Sequence, residues 1–219
     1  YLLFHNETSN SCPPQAVMNE EGTWESLSDS QITLSRAQYA QACAGNLLMR
    51  ADEVRTAWQV GDASFASELV GAGGTGTLFG SQQEAINDLS NAMFYVEKGT
   101  RDQKLGRPAG IYDCAGVSCP DEVESPYAQQ SKEHVVNNLK AFQMLFLGSV
   151  PGGDGVGFGD YLVAVGAESL AQDMADNLTG AIAAVEAIPG SLHEAAFNVD
   201  TASCEDGTDP ICASYVALK

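Results

Sequence analysis

Basic residues are scarce in this 219-residue sequence, in which 10 Lys and Arg stand against 29 Asp and Glu and give a formal net charge of −19. Affinity for nucleic acid and for anionic lipid comes from basic side chains that displace counterions from phosphates. Because no basic cluster is present, the composition argues against a nucleic-acid-binding protein. The acidity is typical of a protein kept soluble in a salty or extracellular medium. Alternatively, it attracts cations or cationic partners.

Long apolar runs and strand-like alternation are also missing. No stretch approaches the roughly 20 apolar residues of a membrane-spanning helix, so we expect a chain that does not span a membrane. Apolar residues instead recur at helical spacing, as in one long segment with Ile32, Tyr39, Cys43, Leu47, Val54 and Trp58 on one face. The sequence therefore predicts an all-α fold of helices joined by loops rich in Gly, Pro and Asp.

Capping signals place several of these helices. Ser81 and Glu84 form a capping box before one helix, which Gly99 ends. Ser125 as N-cap and Pro126 at the first helical position begin another, which Gly148 stops. The stretch 100–124 between them is predicted to be a loop.

Motifs for nucleophilic or nucleotide chemistry are lacking. The glycine-rich "GAGGTGTLFG" lacks the Lys-Ser/Thr ending of a P-loop, and no G-x-S-x-G elbow is present. His193 and Glu194 begin "HEAAF", but a zinc protease needs a second histidine where Phe197 stands. Glu194 is better explained as the capping-box partner of Ser191.

Six cysteines indicate disulfides and hence a periplasmic or extracellular setting. "CAGVSC" and "CEDGTDPIC" each look like a short loop closed by its own bridge, and proximity in sequence then pairs the remaining two cysteines. Zinc is the competing interpretation, which the spacing and the lack of nearby histidines disfavour. Six cysteines allow 15 pairings, of which we expect the following: Cys114–Cys119, Cys204–Cys212 and Cys12–Cys43.

Several segments together resemble the imelysin family, also called the M75 peptidase family. They are "YLLF", "SRAQYAQACAGNLLMRADEVRTAW", "KLGRPAG", "VESPYAQQSKEHVVNNLKAFQMLFLG" and "AIAAVEAIPGSLHEA", in the family's order along almost the whole chain. The most specific piece is "KLGRPAG" followed by "VESPYAQQS" and "NNL". The long helices alone would be weak support, because many bundles look like that.

The resemblance implies two antiparallel helical-bundle halves, which we place at residues 1–99 and 100–219. It also implies a periplasmic, cell-surface or secreted location and a link to iron acquisition. The family's G-x-H-x-x-E motif comes directly before a Tyr-Leu-Leu segment, and this chain begins with Tyr1-Leu2-Leu3. We therefore expect an upstream segment that carries the motif and packs beside this one.

A polar pocket between the two halves is the candidate ligand site. Glu124, Ser125 and Ser131 lie at the start of a predicted helix, where a carboxylate is favoured by the helix dipole. Helix capping alone is the competing interpretation, and the resemblance favours a pocket. Asn138 faces roughly the same side as Ser131.

Two basic side chains are candidates for the same pocket. Arg36 matches the family's Arg-x-x-Tyr and borders the apolar face of the first long helix. It is either a surface arginine or a buried partner of Glu124 or of an anionic ligand group. Lys104, with Arg107, sits in a Gly/Pro turn that can aim a basic side chain or be an ordinary loop. His5 and His134 are isolated in the sequence.

These observations predict an imelysin-like protein of iron acquisition that binds a metal ion, iron or another divalent cation, or an iron-bearing ligand. The alternative is an M75-type metallopeptidase whose catalytic His and Glu lie upstream. A structural or adhesive surface module is a third possibility, in which the disulfides only toughen a helical scaffold.

Overall fold

The computed structural model describes residues 10, 12–59, 61 and 64–218, and in these it is helical without strands. The all-α prediction is thus confirmed. The chain divides into two compact units, Tyr1–Asn87 and Asp88–Lys219. The predicted boundary after residue 99 and the arrangement as two bundle halves stay predictions. The apolar segment 1–4 and His5 lie outside the described residues.

The first unit contains α1 (Asp29–Gln59), α2 (Phe65–Val70) and the start of α3 (Gln82–Met93). α1 packs against α2, and the Trp58 ring meets the Phe65 ring edge-on with centroids 4.7 Å apart. The described core of this unit is small, consisting of buried Ala72, Phe79 and Ala85 with Phe65 and Leu69 packed against them.

The long helix α1 follows the predicted bounds closely, but most of its apolar face is exposed. Ile32 is buried, whereas Tyr39 and Val54 are each 59% exposed and Leu47 is 71% exposed. The helical period is therefore present without the burial that usually accompanies it.

The second unit is built around α4 (Ser131–Leu147). This helix packs against α5 (Phe158–Ala164), α6 (Glu168–Glu186), α7 (Leu192–Phe197) and a π-helix (Val96–Gly106). α8 (Thr201–Glu205) and α9 (Pro210–Ala217) follow, and α9 packs on both α6 and the π-helix.

One continuous apolar core fills the second unit. Leu105, Val135, Leu139, Val185 and Ile211 have no exposed surface, and they come from the π-helix, α4, α6 and α9. Burial of large aliphatic side chains stabilises a fold by about 1.5–3 kcal/mol each. The elements that carry the candidate site are therefore fixed to one another.

Two predicted boundaries in this unit are wrong. The π-helix Val96–Gly106 runs through Gly99 into the first part of the stretch 100–124, which was expected to be a loop. Gly99 therefore does not end a helix. α4 begins at Ser131 rather than at Ser125, because Gln129 adopts a left-handed φ of 53° that no α-helix continues through. Its end at Gly148 is confirmed, with φ 72°.

Of the two predicted capping boxes, the one at α7 forms as predicted and the one at α3 forms only in part. Ser191 and Glu194 form the predicted capping box at the start of α7. At α3, the Ser81 hydroxyl accepts from the Glu84 amide, but the Glu84 carboxylate accepts from the Gly80 amide rather than from that of Ser81.

Two of the three predicted disulfides are present, Cys114–Cys119 and Cys204–Cys212. The third is wrong, since Cys12 and Cys43 are free thiols. Proximity in sequence predicts the two short loops because a single turn brings cysteines five or eight positions apart within bonding distance. Proximity in sequence is a weak guide for Cys12 and Cys43, because a longer stretch of chain separates them and Cys43 is exposed.

Candidate ligand-binding site

The segment after the Cys114–Cys119 bridge delivers Glu124 to the second unit's polar cluster. A single 3-10 turn, Pro120–Glu122, packs against α7, and the next side chain, Val123, is buried in the core. Because Val123 is anchored, the following residue is held at the edge of the core with its side chain 41% exposed. Glu124 is thus positioned by its neighbour's burial.

One oxygen of Glu124 is the centre of this cluster. Glu124 Oε2 lies 3.0 Å from Lys104 Nζ of the π-helix and 3.1 Å from His134 Nδ1 of α4. The Lys104 side chain is only 14% exposed, whereas that of His134 is 42% exposed. A carboxylate that reaches solvent therefore meets a largely buried ammonium group and an imidazole that also reaches solvent.

The electrostatics keep this carboxylate ionised. Partial burial would raise the pKa of Glu124, but the hydrogen bond and charge of Lys104, followed by those of His134, outweigh burial and hold the pKa below its usual value. The Glu124 carboxylate is consequently a fixed negative charge between the Lys104 ammonium and the His134 imidazole at neutral pH.

Asn138 connects the same lysine to the π-helix. With its amide turned so that every neighbour is satisfied, the Asn138 oxygen accepts from Lys104 Nζ at 3.3 Å and from Thr100 Oγ1 at 3.2 Å. Its nitrogen donates to the His134 backbone oxygen at 2.9 Å. Because Thr100 is fully buried, its hydrogen bond holds the Asn138 amide in place, and that amide in turn fixes the position of the Lys104 ammonium.

The two serines are joined, but not as a helix cap. The Ser125 amide donates to Ser131 Oγ at 2.9 Å, and the two hydroxyls are 3.4 Å apart. Ser131 is buried at the first position of α4 and is bonded to the chain that leads in from Glu124. The predicted pair is therefore together, and it ties residue 125 to α4.

The structure brings five of the six predicted site residues into the second unit: Lys104, Glu124, Ser125, Ser131 and Asn138. The sixth, Arg36, belongs to the first unit, where its guanidinium lies 5.8 Å from the centre of the Trp24 ring. Its predicted pairing with Glu124 stays a prediction, and so does the role of each site residue.

Sequence reasoning missed His134 and Thr100. His134 follows Ser131 by three positions and precedes Asn138 by four, which places all three on one face of α4. That spacing is the signal that would have found it. Thr100 had no such signal, because the π-helix was not expected.

His193 lies outside this cluster. Its Nε2 is 3.5 Å from Asp121 Oδ1, and its neighbour Glu194 serves as the capping residue of α7. This arrangement agrees with the rejection of a zinc-protease motif at "HEAAF".

A bare metal ion fits the described residues poorly. No group of three or more His, Cys, Asp and Glu side chains within the described ranges is arranged to hold one. Glu124 and His134 are two such donors, but the Lys104 ammonium already lies against the carboxylate oxygen that an ion would take. Structural sites usually offer four protein ligands and catalytic sites three.

A shallow apolar groove of about 270 Å³ adjoins the cluster at Asn138. One side is Ala141, Phe142 and Leu145 of α4, and the other is the chain around Tyr95, whose ring lies 5.8 Å from Lys104 Nζ. The cluster thus has a polar end and an apolar extension.

Comparison with known families gives a match over the whole of this sequence. The imelysin family model, Peptidase_M75, matches residues 1–219. The chain belongs to the imelysin family. Searches of curated proteins and of solved structures gave no match.

Membership in the imelysin family confirms the resemblance drawn from the sequence motifs. The two motifs that carried it most specifically, "KLGRPAG" and "VESPYAQQS", supply Lys104, Glu124, Ser125 and Ser131. In this imelysin domain those motifs meet through the Lys104–Glu124 ion pair. Across the described helices, none combines the length and apolarity that crossing a membrane requires.

Proposed function

We propose that this imelysin-family protein takes part in iron acquisition outside the cytoplasm and binds an iron-bearing anionic ligand at Lys104. The observation that carries the proposal is the Lys104–Glu124–His134 cluster, in which one carboxylate oxygen occupies the place where a ligand's oxygen would sit. An iron chelate that offers a carboxylate can exchange with Glu124 for the ammonium and the imidazole.

The composition of the cluster favours a chelate over a free ion. A chelate brings its own metal ligands, so it does not need the third protein donor that the described residues lack. It needs a cation and hydrogen-bonding groups, which Lys104, His134 and Asn138 supply. Binding of a metal ion alone remains the competing form of the proposal.

Location and partners complete the proposal. Two disulfides are typical of the periplasm, the cell surface or a secreted protein, where thiols become oxidised. An upstream segment with the family's G-x-H-x-x-E motif is a further proposed partner. If that motif makes the protein an M75-type metallopeptidase, chelator-sensitive cleavage of a protein substrate would be seen.

The test is calorimetric titration with ferric citrate and, in a separate anaerobic arm, with Fe²⁺ alone. Lys104→Gln should weaken ferric citrate binding by about 10- to 100-fold, as expected for a charge-assisted hydrogen bond. Lys140→Gln is the matched control, because Lys140 is on α4 but forms an exposed pair with Glu186. It should bind like wild type.

Glu124→Gln separates the two forms of the proposal. If a chelate displaces Glu124, the variant keeps or tightens ferric citrate binding, since a competitor has been weakened. If a bare ion is coordinated, Fe²⁺ binding is lost with the carboxylate. An absence of heat with either probe, or equal affinities for Lys104→Gln and Lys140→Gln, would overturn the proposal.

A further inference from the structure

A second charged cluster lies on the other side of the π-helix. Asp102 is 2% exposed, and its Oδ1 accepts from Arg101 Nε at 2.9 Å and from the Tyr215 hydroxyl of α9 at 3.4 Å. Its other oxygen is 3.3 Å from Lys98 Nζ. The proposed function does not use this buried carboxylate.

Tyr215 contacts the π-helix in three ways. Besides the bond to Asp102, its ring lies 5.4 Å from the Arg101 guanidinium carbon. The ring also covers Gly106, where an added Cβ would come within 2.7 Å of Tyr215. Asp102 and Gly106 therefore define the α9-facing side of the π-helix.

The opposite side carries the ligand site. Thr100 and Lys104 both meet Asn138 of α4. Residues four or five positions apart share a face in a helix with i→i+5 hydrogen bonds, so Thr100 and Lys104 lie together and Asp102, between them, points away. One helix thus connects the Tyr215 contact to the lysine of the site.

This helix needs something to hold its register. π-Helices are rare, mostly limited to a single turn, and frequent at functional sites. The Arg107 amide donates to the backbone carbonyl oxygen of Asp102 at 2.9 Å, five positions back, so the i→i+5 register extends through Asp102. Relaxation to i→i+4 bonding would rotate the residues that follow, Lys104 included, relative to α4.

We infer that Asp102 is a positioning residue for Lys104: the contacts of its buried carboxylate to Arg101 and Lys98 within the π-helix, and to Tyr215 of α9, hold the π-helical register that aims the lysine at Glu124. A buried carboxylate cannot leave its partners without exposing an unpaired charge to the protein interior. Its hydrogen bond from Tyr215 therefore holds one face of the helix on α9 while the other face presents Lys104. The inference rests on the proposed function only in that the proposed function gives Lys104 its role in ligand binding.

The test uses the ligand-free protein and measures the NMR resonances of the Lys104 side chain and of the His134 ring. If Lys104 moves away from Glu124 in Asp102→Asn, the Lys104 resonances should shift, and those of His134, which shares the Glu124 oxygen, should shift with them. Tyr215→Phe keeps the ring and removes only the hydroxyl, so it should give a smaller shift in the same direction. It also serves if Asp102→Asn does not fold.

Two internal controls distinguish positioning from general stabilisation. The ring resonances of His193, which is paired with Asp121, should be unchanged in every variant. Glu186→Gln, which removes the exposed pair to Lys140 on α4, should leave both Lys104 and His134 as in wild type. Unmoved side-chain resonances of both Lys104 and His134 in Asp102→Asn and Tyr215→Phe would overturn the inference.

Ligand binding is then a separate readout. Asp102→Asn should weaken ferric citrate binding toward the level of Lys104→Gln. If wild-type protein does not bind ferric citrate, the proposed function fails, while the ligand-free NMR result still decides the role of Asp102.

Discussion

The two units of this chain use the same helical periodicity with different results. In Asp88–Lys219, the apolar stripes of α4, α6 and α9 meet in one core, and Leu139 is completely buried. In Tyr1–Asn87, α1 has a comparable stripe, but Leu47 near its middle is 71% exposed. A stripe predicts a helix, whereas burial depends on whether other described elements pack on it.

The two units should differ most in the loss of stability when a large apolar side chain of each helical stripe is truncated. Leu139→Ala is expected to lower the free energy of unfolding by about 2–5 kcal/mol, because it removes buried methyl groups and leaves a cavity. Leu47→Ala should change it by no more than about 0.5 kcal/mol, as for other exposed sites. Urea denaturation followed by circular dichroism measures both. Similar costs for the two variants would show that the Leu47 face is buried in solution.

The next largest difference in stability between the two units is expected when their cysteines are replaced. Replacing Cys204 and Cys212 by Ser should cost about 2.5 kcal/mol, from the chain entropy of the loop that their disulfide closes. Replacing Cys12 and Cys43 by Ser should have little effect, since both are free. Thiol titration of the unfolded, unreduced protein should find two thiols. Finding none would restore the Cys12–Cys43 pairing that the structure contradicts.

The buried carboxylate of Asp102 and the exposed carboxylate of Asp52 should contribute differently to stability in acid. Burial would raise the pKa of Asp102, but the hydrogen bonds and charges of Arg101 and Lys98 lower it below its usual value. A depressed folded-state pKa gives stability that is present above the unfolded value of about 3.9 and is lost as the pH falls through the folded value.

Asp102→Asn should therefore cost about 1–3 kcal/mol at pH 7 and flatten the loss of stability on acidification below pH 4. Asp52→Asn in α1 removes an exposed pair with Arg55 and should cost at most about 1 kcal/mol. Urea denaturation at several pH values checks both. Parallel pH profiles for wild type and Asp102→Asn would contradict the assignment.

Helix caps should show the smallest effects and no contrast between units. Ser191 caps α7 and Ser64 caps α2, each by accepting a backbone amide three residues on. Because capping is local, Ser191→Ala and Ser64→Ala should each cost about 1 kcal/mol. Thermal unfolding of the two variants tests this, and a cost at one cap alone would mean that the other helix end lies in an unstable segment.

Local signals predicted much of the fold. The 3.6-residue period found α1, and Gly148 marked the end of α4. Ser191 with Glu194 marked the start of α7, because a capping box depends on residues close in sequence. The π-helix escaped prediction, since its register is held by Asp102 and Tyr215, which are 113 positions apart. No local pattern contains that contact.

For the candidate site as well, the sequence predicted contacts between residues close in the chain but not those between distant ones. Ser125 and Ser131 are close in sequence and were found together. Lys104 and Glu124 were both singled out, but their ion pair depends on the π-helix and on the burial of Val123. The start of α4 was misplaced because the left-handed Gln129 overrides the favourable Ser125-Pro126 start.

The most direct test of the central proposal is an NMR titration with gallium citrate, a diamagnetic analogue of ferric citrate. Binding should shift the side-chain resonances of Lys104 and His134 and the amide of Ser131, and the shifts should vanish in Lys104→Gln while persisting in Lys140→Gln. Shifts confined to other residues, or the same shifts in Lys104→Gln, would contradict a ligand site at this lysine.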